Sequence, residues 1–418
     1  MQLQAHCELQ NLFHDAQSGF RPKRGIELSI LATRERLLES RDAGGSAALV
    51  LLDLSAAFDT VSHKILLARL QDEFYITGVP LTWIRNFLTG RTFQVILGSF
   101  RSARVPLLCG VPQGSATSPW LFNCYVRPVV DIISSWGLAT QVYADDIQIV
   151  ASDALNPTAA HLLSCCLSSI QTWMKDNRLA LNVSKTEVLL TGPTQSLNLL
   201  AEWPVSMGPC PTPSSQVRNL GVIFDNKLSW IPQVRNCTKN ALYYLRMLRR
   251  VKHLLSQTHR NTLVQALVIS RLDFCNVVYL GLPIKWLSKL QLVQNQAARL
   301  IMGTSRWDHI SPVLRLLHWL PCARRIEFKA LCVMFRAFKQ HGPLFINNMA
   351  IHYHPPRALR SADQDFAVIP PVRLILFGGR SFRARATSLW NLLPLPLRKS
   401  TALITFRKSL KTFLFGAS

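Results

Sequence analysis

The sequence predicts an α+β protein, in which strands and hairpins in the first half are followed by a helical second half. Three observations indicate this class. Ala47 to Leu54 is an apolar run with the length and composition of a strand buried on both faces. Gln141 to Val150 places two adjacent aspartates among β-forming residues, as a hairpin with an acidic tip does. From Trp230 onward, apolar residues recur at helical spacing.

The remaining elements of the first half follow from the same periodicities. Four segments carry apolar residues at helical spacing: Glu27 to Glu39, Ser62 to Phe74, Leu81 to Leu88 and Thr158 to Asn177. Thr92 to Leu97 and Arg101 to Leu108 flank a Gly-Ser pair, which predicts a further hairpin. The first half is therefore expected to alternate short strands with helices.

Charge is distributed unevenly along the 418 residues. The chain carries 47 Lys and Arg against 23 Asp and Glu, a net charge of +24. Residues 231–418 hold 29 of the basic and 5 of the acidic residues, which leaves 18 of each in residues 1–230. This segregation is typical of a nucleic-acid or anionic-membrane surface joined to a neutral module, the alternative being a merely soluble basic domain.

Targeting and cysteine patterns point to an intracellular protein, nuclear or cytoplasmic. No run approaches 18 uncharged apolar residues, and Met1 to Gln10 lacks the basic start and apolar segment of a secretory signal. The ten cysteines have no paired zinc-finger spacing. They are expected to be reduced core residues.

Three acidic residues are candidates for a metal site. Asp145 and Asp146 lie side by side at the predicted hairpin tip, and Asp53 stands at the exit of the Ala47 to Leu54 strand. Adjacent carboxylates raise each other's pKa unless a cation keeps both ionised. Asp53 and this pair could hold two Mg²⁺ ions about 3.5–4 Å apart. Taken alone, the Asp-Asp pair would be interpreted as a solvated turn.

Between these acids, the segment Gly110 to Pro119 (GVPQGSATSP) breaks the chain before an apolar helical stretch. Glycines such as Gly114 allow a backbone to approach a base or ribose closely. The Gln113 amide can bind a nucleotide. Taken alone, this segment would be an ordinary loop.

The order LVLLDLSAAFD, GVPQG and YADD resembles motifs A, B and C of reverse transcriptases, most closely those of LINE-type, jockey-like non-LTR retrotransposons. The resemblance extends to further motifs along nearly the whole chain: QSGFRP at 17–22, LNVSKTEVLL at 181–190, LGVIFD at 220–225 and residues 272–301. Telomerases and group II intron maturases share such a palm, but the match at 272–301 favours the LINE group.

The resemblance implies an RNA-directed DNA polymerase that acts by two-metal nucleotidyl transfer in target-primed reverse transcription. Asp53, Asp145 and Asp146 would hold two Mg²⁺ ions, with Mn²⁺ as a possible substitute. Phe58 matches an aromatic wall that favours deoxynucleotides, although a Phe there is more often core. Lys185 matches the motif D lysine that can protonate departing pyrophosphate, a solvated surface lysine being the alternative.

Other roles implied by the resemblance concern substrates. Gln113 and Gly114 would contact the nucleotide, as would Arg21, for which a surface turn arginine is about equally expected. Leu220 and Gly221 fall in motif E, the primer grip, where the backbone would position the primer end. The expected partners are an RNA template, a DNA primer and deoxynucleoside triphosphates, with no membrane.

The resemblance also implies a right-hand polymerase palm, an antiparallel sheet with helices. Four segments are expected: partial fingers at 1–46, an N-terminally truncated module; the palm at 47–229; a helical thumb and connection at 230–345; and a basic C-terminal segment at 346–418. Basic residues and aromatics alternate in the last segment, which suits RNA, a small helical cap being almost equally expected.

A second function remains open at this point, a catalytically inactive retrotransposon relic that only binds nucleic acid. Ser115 to Ser118 stands where relatives usually have a hydrophobic residue, a small residue and glycine before proline. Ile147 replaces a common threonine after YADD. These departures lie inside the motifs that would carry catalysis.

Overall fold

The structure is a computed structural model that describes residues 2–193, 212–355 and 364–416. The chain divides into two compact units. The first comprises Met1–Ser29 and Ser46–Ser214, and the second comprises Ile30–Gly45 and Ser215–Ser418. No described helix is both long enough and apolar enough to cross a membrane.

A four-stranded antiparallel sheet forms the centre of the first unit, in the order β10, β1, β8, β7. These strands are β1 (Ala47–Leu52), β7 (Ala139–Tyr143), β8 (Asp146–Ser152) and β10 (Glu187–Thr191). Central strand β1 is buried along nearly its whole length, as its composition predicts. Each buried Leu or Val side chain there stabilises the fold by about 1.5–3 kcal/mol.

Short strand pairs complete the β-structure of the first unit. They are β2 (Leu54–Ser55) with β9 (Ala180–Leu181), β3 (Thr92–Phe93) with β6 (Val105–Pro106), and β4 (Ile96–Leu97) with β5 (Phe100–Arg101). The last two pairs form the hairpin predicted around the Gly-Ser turn, and its apolar side chains are exposed.

Six helices begin in the described part of the first unit, and several pack against the sheet in one hydrophobic core. They are α1 (Gln2–Leu9), α2 (Ile26–Asp42), α3 (His63–Asp72), α4 (Gly78–Leu88), α5 (Ser118–Ser135) and α6 (Pro157–Asp176). Ser62 caps α3 by accepting a hydrogen bond from the Ile65 amide, which explains why this helix begins one residue later than predicted. The residues of α2 from Ile30 onward belong to the second unit.

The second unit is mostly helical, as the sequence predicts from Trp230 onward. One hairpin, β11 (Gln216–Asn219) with β12 (Val222–Asp225), precedes its helices. These are α7 (Ile231–Arg250), α8 (Gln257–Val264), α9 (Ser270–Asp273), α10 (Ile284–Met302), α11 (Ile310–Leu316), α12 (Cys322–Phe338), α13 (Leu344–Asn347), α14 (Phe382–Asn391), α15 (Leu395–Arg398) and α16 (Leu403–Gly416).

A buried ion pair organises the second unit around α2. Arg34 and Glu35 are both essentially inaccessible, and their side chains meet at 2.6 Å. Arg34 also donates to the carbonyl oxygens of Leu280 and Arg380, and Glu35 accepts from the amides of Phe382 and Arg383. Burial raises the pKa of Glu35 even though Arg34 and these amides oppose the shift.

Candidate active site

The acidic hairpin has the geometry that the sequence predicts. Strands β7 and β8 pair in antiparallel register up to Tyr143 and Asp146, so Ala144 and Asp145 form a two-residue turn. Ala144 has a φ of +57°, a left-handed conformation that costs a residue with a Cβ roughly 1–2 kcal/mol. Asp145 and Asp146 therefore lie at the tip of a tight hairpin, where an apolar strand can tolerate them.

Asp53 reaches the same end of the sheet from the neighbouring strand. Leu52 on β1 pairs with Ile147 on β8, so the next residue of the first strand, Asp53, comes alongside Asp146. The Asp53 carbonyl accepts a hydrogen bond from the Asn182 amide at 2.8 Å. Its carboxylate oxygen Oδ2 is buried and has no hydrogen-bond partner among the described residues.

The three carboxylates interact electrostatically. The pKa of Asp146 is raised to about 6, first because the surrounding protein removes part of its hydration and then because Asp145 and Asp53 are negatively charged. Asp146 is exposed at the start of its strand, so this desolvation is partial. The shift reflects partial burial of the Asp146 carboxylate within a concentration of negative charge.

The donor chemistry fits a divalent cation, although no closed ligand set is formed. Within the described ranges, no three His, Cys, Asp or Glu side chains are placed together to hold a metal ion. However, carboxylate oxygens are the ligands that Mg²⁺ prefers. Asp53 Oδ2, beside Asp146, accepts no hydrogen bond from the described residues and offers such an oxygen. These acids could therefore hold a cation after small side-chain movements.

Lys185 lies next to the acids. It ends a short 3₁₀ turn, Val183–Lys185, and its Nζ is 3.7 Å from Asp53 Oδ2. The side chain is 69% exposed, so it can move while remaining near the carboxylates. Such an ammonium group could neutralise charge or transfer a proton at this end of the sheet.

The loop that precedes α5 packs on the segment that follows Asp53. Gly110 has a φ of +86°, and a Cβ there would lie 2.8 Å from the Asp59 carbonyl oxygen, so this close approach requires glycine. Gln113 donates to the Asp59 carboxylate at 3.3 Å, and Gly114 has a φ of +83° in open space. Asp59 thus orients the amide that the sequence predicts to contact a nucleotide.

Phe58 belongs partly to the core and partly to the surface. Its ring stacks on Phe122 of α5, with centroids 4.6 Å apart, and the side chain is half-buried. The core interpretation and the nucleotide-wall interpretation are compatible with this position, because one face of the ring is packed and the residue still reaches solvent.

Arg21 is not the surface turn arginine that the sequence suggested. It is buried, makes two hydrogen bonds of 2.8 Å to Glu8, and donates to the carbonyls of His14 and Gln17. Its guanidinium also covers the ring of Phe13. The surface-arginine expectation is wrong, since these contacts hold the Gln17 to Pro22 turn together, and they leave little of the guanidinium for a nucleotide.

Leu220 and Gly221 form the two-residue turn of the β11–β12 hairpin in the second unit. Both have positive φ angles, +45° and +85°. Such a turn matches the twist of the flanking strands. The predicted primer grip is therefore a tight hairpin turn with exposed backbone groups.

Sequence reasoning missed the residues that support the acidic turn. A Cβ on Gly19 would lie 2.5 Å from the Ala144 amide nitrogen, so the backbone of Gly19 contacts the turn directly. Ser18 donates to the Val142 carbonyl at 2.8 Å, and Asn123 of α5 donates to the Gly19 carbonyl at 2.6 Å. The QSGFRP motif is evident in the sequence, but its residue types do not indicate which strand it contacts.

Comparison with known proteins agrees with this geometry. The family model for reverse transcriptase (RNA-dependent DNA polymerase) matches residues 1–224. The RNA-directed DNA polymerase from the mobile element jockey of Drosophila funebris is 24% identical over 301 residues, which cover 69% of this chain and 32% of that protein. The probable RNA-directed DNA polymerase from transposon X-element of Drosophila melanogaster is 25% identical over 307 residues, covering 71% and 33%.

Among solved structures, a telomerase from Candida tropicalis in complex with a fragment of telomeric RNA is similar at 12% identity. That match covers 78% of this chain and 53% of the telomerase, with a TM-score of 0.41. The chain spans about a third of the length of the two curated relatives. These matches confirm the predicted similarity to jockey-like non-LTR elements and the predicted polymerase palm with its antiparallel sheet. Because the family model covers more than half of the 418 residues, the chain belongs to the reverse transcriptase family.

Proposed function

We propose that this chain is the polymerase portion of a LINE-type retrotransposon protein, an RNA-directed DNA polymerase that extends a DNA primer in target-primed reverse transcription. Reverse transcriptases generally use divalent metal ions. The observation that carries the proposal is the register that brings Asp53 alongside Asp146 at the hairpin tip, with Asp145 next to it.

In this proposal Asp53, Asp145 and Asp146 hold two Mg²⁺ ions, or Mn²⁺ in their place. When bound, the ions would supply Lewis-acid stabilisation of the attacking 3′-oxygen of the primer and of the leaving pyrophosphate oxygen. Two observations support this role: Asp53 Oδ2 accepts no hydrogen bond from the described residues, and the pKa of Asp146 is raised. A cation would bind that oxygen and reduce the repulsion among the carboxylates.

The remaining site residues bind and orient substrates. Gln113, oriented by Asp59, and the open backbone at Gly114 contact the incoming deoxynucleotide. Phe58, whose ring packs on Phe122, forms the aromatic wall that favours deoxynucleotides. Lys185, 3.7 Å from Asp53, donates a proton to the departing pyrophosphate.

We assign the palm to residues 47–229 and the preceding residues 1–46 to part of the fingers. Residues 230–345 form the thumb and connection, and 346–418 a basic C-terminal segment. Leu220 and Gly221 guide the primer end through the backbone of their turn. An RNA template, a DNA primer and deoxynucleoside triphosphates are the substrates, and the basic excess of residues 231–418 supports binding of the nucleic acids.

Primer extension on an RNA template with Mg²⁺ tests the proposal. The Asp145→Asn/Asp146→Asn double variant should lose extension by at least about a hundredfold, because the charges that hold the cations are gone. Asp153→Asn is the matched control, since Asp153 follows the opposite end of strand β8 and is exposed. Equal extension by the double variant and the control would refute the assignment.

A second candidate function is a nucleic-acid binder without polymerase activity. It is favoured by the altered motif residues Ser115 to Ser118 and Ile147. In that case the double variant would bind RNA as tightly as the wild type, with a steep salt dependence, and neither protein would extend a primer.

A further inference from the structure

A cavity of about 330 Å³ lies within the second unit, apart from every residue assigned a role above. Its walls come from three places. Asp273 ends α9, Asn276 begins the following 3₁₀ turn, and Arg325, Phe328 and Lys329 belong to α12. Two cations of α16, Arg407 and Lys411, complete the lining one helical turn apart.

The cavity is strongly cationic. Four basic side chains and one acidic side chain line it, a net charge of +3. Asp273 is already engaged by Arg325, whose Nε donates to it at 2.8 Å, so the acid neutralises one of the four cations. Such a concentration of positive charge in a concave site attracts an anion, and Arg and Lys side chains bind phosphate through charge-assisted hydrogen bonds.

One buried polar group in the wall lacks a partner. Asn276 is 4% exposed, and its Oδ1 accepts no hydrogen bond from the described residues, while its Nδ2 makes a long 3.4 Å contact with Asp273. A buried acceptor without a donor is costly, because it has lost its hydrogen bonds to water. A ligand that offers an N–H group would satisfy it, as the edges of nucleobases do.

The walls also offer an aromatic surface on a fixed frame. Phe328 is half-buried and lines the cavity, where its ring can stack against a base. Helices α12 and α16 are held together by the stacked rings of Phe335 and Phe406, with centroids 4.5 Å apart. The cavity therefore does not depend on flexible side chains alone.

We propose that this cavity, lined by Asn276, Arg325, Phe328, Arg407 and Lys411, binds one unpaired nucleotide of a single-stranded RNA. The phosphate lies between the two α16 cations, the base lies against the Phe328 ring, and a base N–H donates to Asn276 Oδ1. The volume is at the low end of small-ligand sites, about 300–1,000 Å³, which suits one nucleotide and is too small for stacked base pairs.

A strand rather than a free nucleotide is favoured by the charge outside the cavity. The basic excess of residues 231–418 offers contacts for neighbouring phosphates. The inference deepens the proposed function, on which the choice of RNA rests. It names a template contact in the second unit that requires no part of the acidic hairpin.

Fluorescence anisotropy with a labelled ten-nucleotide single-stranded RNA tests the proposal on the full chain. Arg407→Gln/Lys411→Gln should weaken binding about tenfold or more, because both phosphate contacts are lost. The matched control, Arg385→Gln/Lys408→Gln, removes the same charge from exposed positions that do not line the cavity and should weaken binding no more than about threefold. Equal weakening by both pairs would overturn the proposal.

Two further measurements distinguish RNA binding in this cavity from non-specific electrostatic binding of RNA. Phe328→Leu keeps apolar bulk but removes the ring, and should weaken binding about fivefold, the lower limit for base stacking. Bound RNA should also protect Lys411 from acetylation, read by mass spectrometry, while Lys408 still reacts. Unchanged affinity of Phe328→Leu, or equal protection of both lysines, would contradict the cavity as the binding place. Circular dichroism and thermal melting should show that each variant remains folded.

A comparison of ligands decides between a strand and a free nucleotide. Uridine 5′-monophosphate, at the same concentration of nucleotide units, should protect Lys411 far less than the RNA does. Equal protection would overturn the strand as occupant. Failure of the proposed function would appear separately, as a wild-type chain that does not extend a primer although its RNA binding depends on Arg407 and Lys411 as described.

Discussion

The two units of this protein place carboxylate side chains in opposite electrostatic environments. Glu35 is buried in the second unit, but Arg34 and the amides of Phe382 and Arg383 satisfy its carboxylate. Asp146, in the first unit, lies at a hairpin tip, where partial burial and then the charges of Asp145 and Asp53 raise its pKa to about 6. The Arg34–Glu35 pair stabilises a fold, whereas the carboxylates of the hairpin tip form a concentration of negative charge of the kind found at functional sites.

The largest effect on stability is expected at the buried Arg34–Glu35 pair. Glu35→Gln should lower the free energy of unfolding of the second unit by about 3–5 kcal/mol, because Arg34 would remain buried without its counter-charge. Urea unfolding followed by far-ultraviolet circular dichroism measures the change. Glu39→Gln, on the same helix and 40% exposed, is the control and should change the stability by less than about 0.5 kcal/mol. A loss below about 1 kcal/mol for Glu35→Gln would show that the pair is not structural.

The support under the acidic hairpin is the next most sensitive point. Gly19→Ala should cost about 1–3 kcal/mol, because the new Cβ would overlap the Ala144 amide nitrogen and displace the turn. Single-nucleotide incorporation should fall about tenfold or more, since the carboxylates move with the turn. Gly25→Ala is the matched control, as a Cβ there meets nothing within 4 Å. Wild-type incorporation by Gly19→Ala would mean that the turn tolerates the shift.

At the hairpin tip, a substitution of Asp146 is expected to raise stability, by less than the two preceding substitutions lower it. The raised pKa of Asp146 means that the folded protein binds its proton more tightly than the unfolded chain does. Stability from this group is therefore present below the ordinary aspartate pKa and is lost as the pH rises to about 6. With chelator present, Asp146→Asn should raise the melting temperature at pH 7.5 by about 1–2 °C, after discounting for solvent screening, and by less at pH 4.5.

Added Mg²⁺ should change the difference in stability between the wild type and Asp146→Asn. The ion should stabilise the wild type, because it offsets the repulsion among the carboxylates, and should stabilise Asp146→Asn less. Differential scanning fluorimetry at the two pH values, with and without Mg²⁺, measures both effects. A variant that is less stable than the wild type at pH 7.5 in chelator would contradict the interpretation of Asp146 as an uncompensated charge.

Of these substitutions, the one at Lys185 should change stability least, whereas its effect on nucleotide incorporation should be large. Lys185→Met removes a partner at 3.7 Å from an ion pair that is largely solvated, so the unfolding free energy should change by less than about 0.5 kcal/mol. If the lysine protonates the leaving group, single-turnover incorporation should fall about a hundredfold. Lys175→Met, at an exposed position on α6, serves as the control. Unaltered incorporation by Lys185→Met would return this residue to the solvated-lysine alternative.

Much of the first unit could be predicted from the sequence because its signals are local. An apolar run ending in Asp53 and a paired aspartate inside β-formers each specify a short element, and their strand register follows from keeping apolar side chains inside. The helix predicted at Ser62 to Phe74 was correct to within two residues at each end. Local patterns therefore sufficed for the elements that carry the acids.

Contacts between distant segments were not predictable in the same way. Burial of Arg21 depends on Glu8 and on two main-chain carbonyls, and the role of Gly19 depends on a turn more than a hundred residues later in the chain. Arg34 and Glu35 look like an ordinary charged pair on a helix. Their partners are main-chain groups, which every residue possesses, so no pattern of side chains reveals them.

The buried Arg34–Glu35 pair has a consequence for how this polypeptide can be divided. Its hydrogen-bond partners are main-chain groups near residue 280 and near residues 380–383, whereas the pair itself precedes the first strand of the sheet. A protein expressed from residue 215 onward would lack the helix that fills this position, and the amides of Phe382 and Arg383 would lose their acceptor. On the ribosome, the early helix must likewise wait for the last quarter of the chain before the main-chain groups of residues 380–383 can bind its two charged side chains.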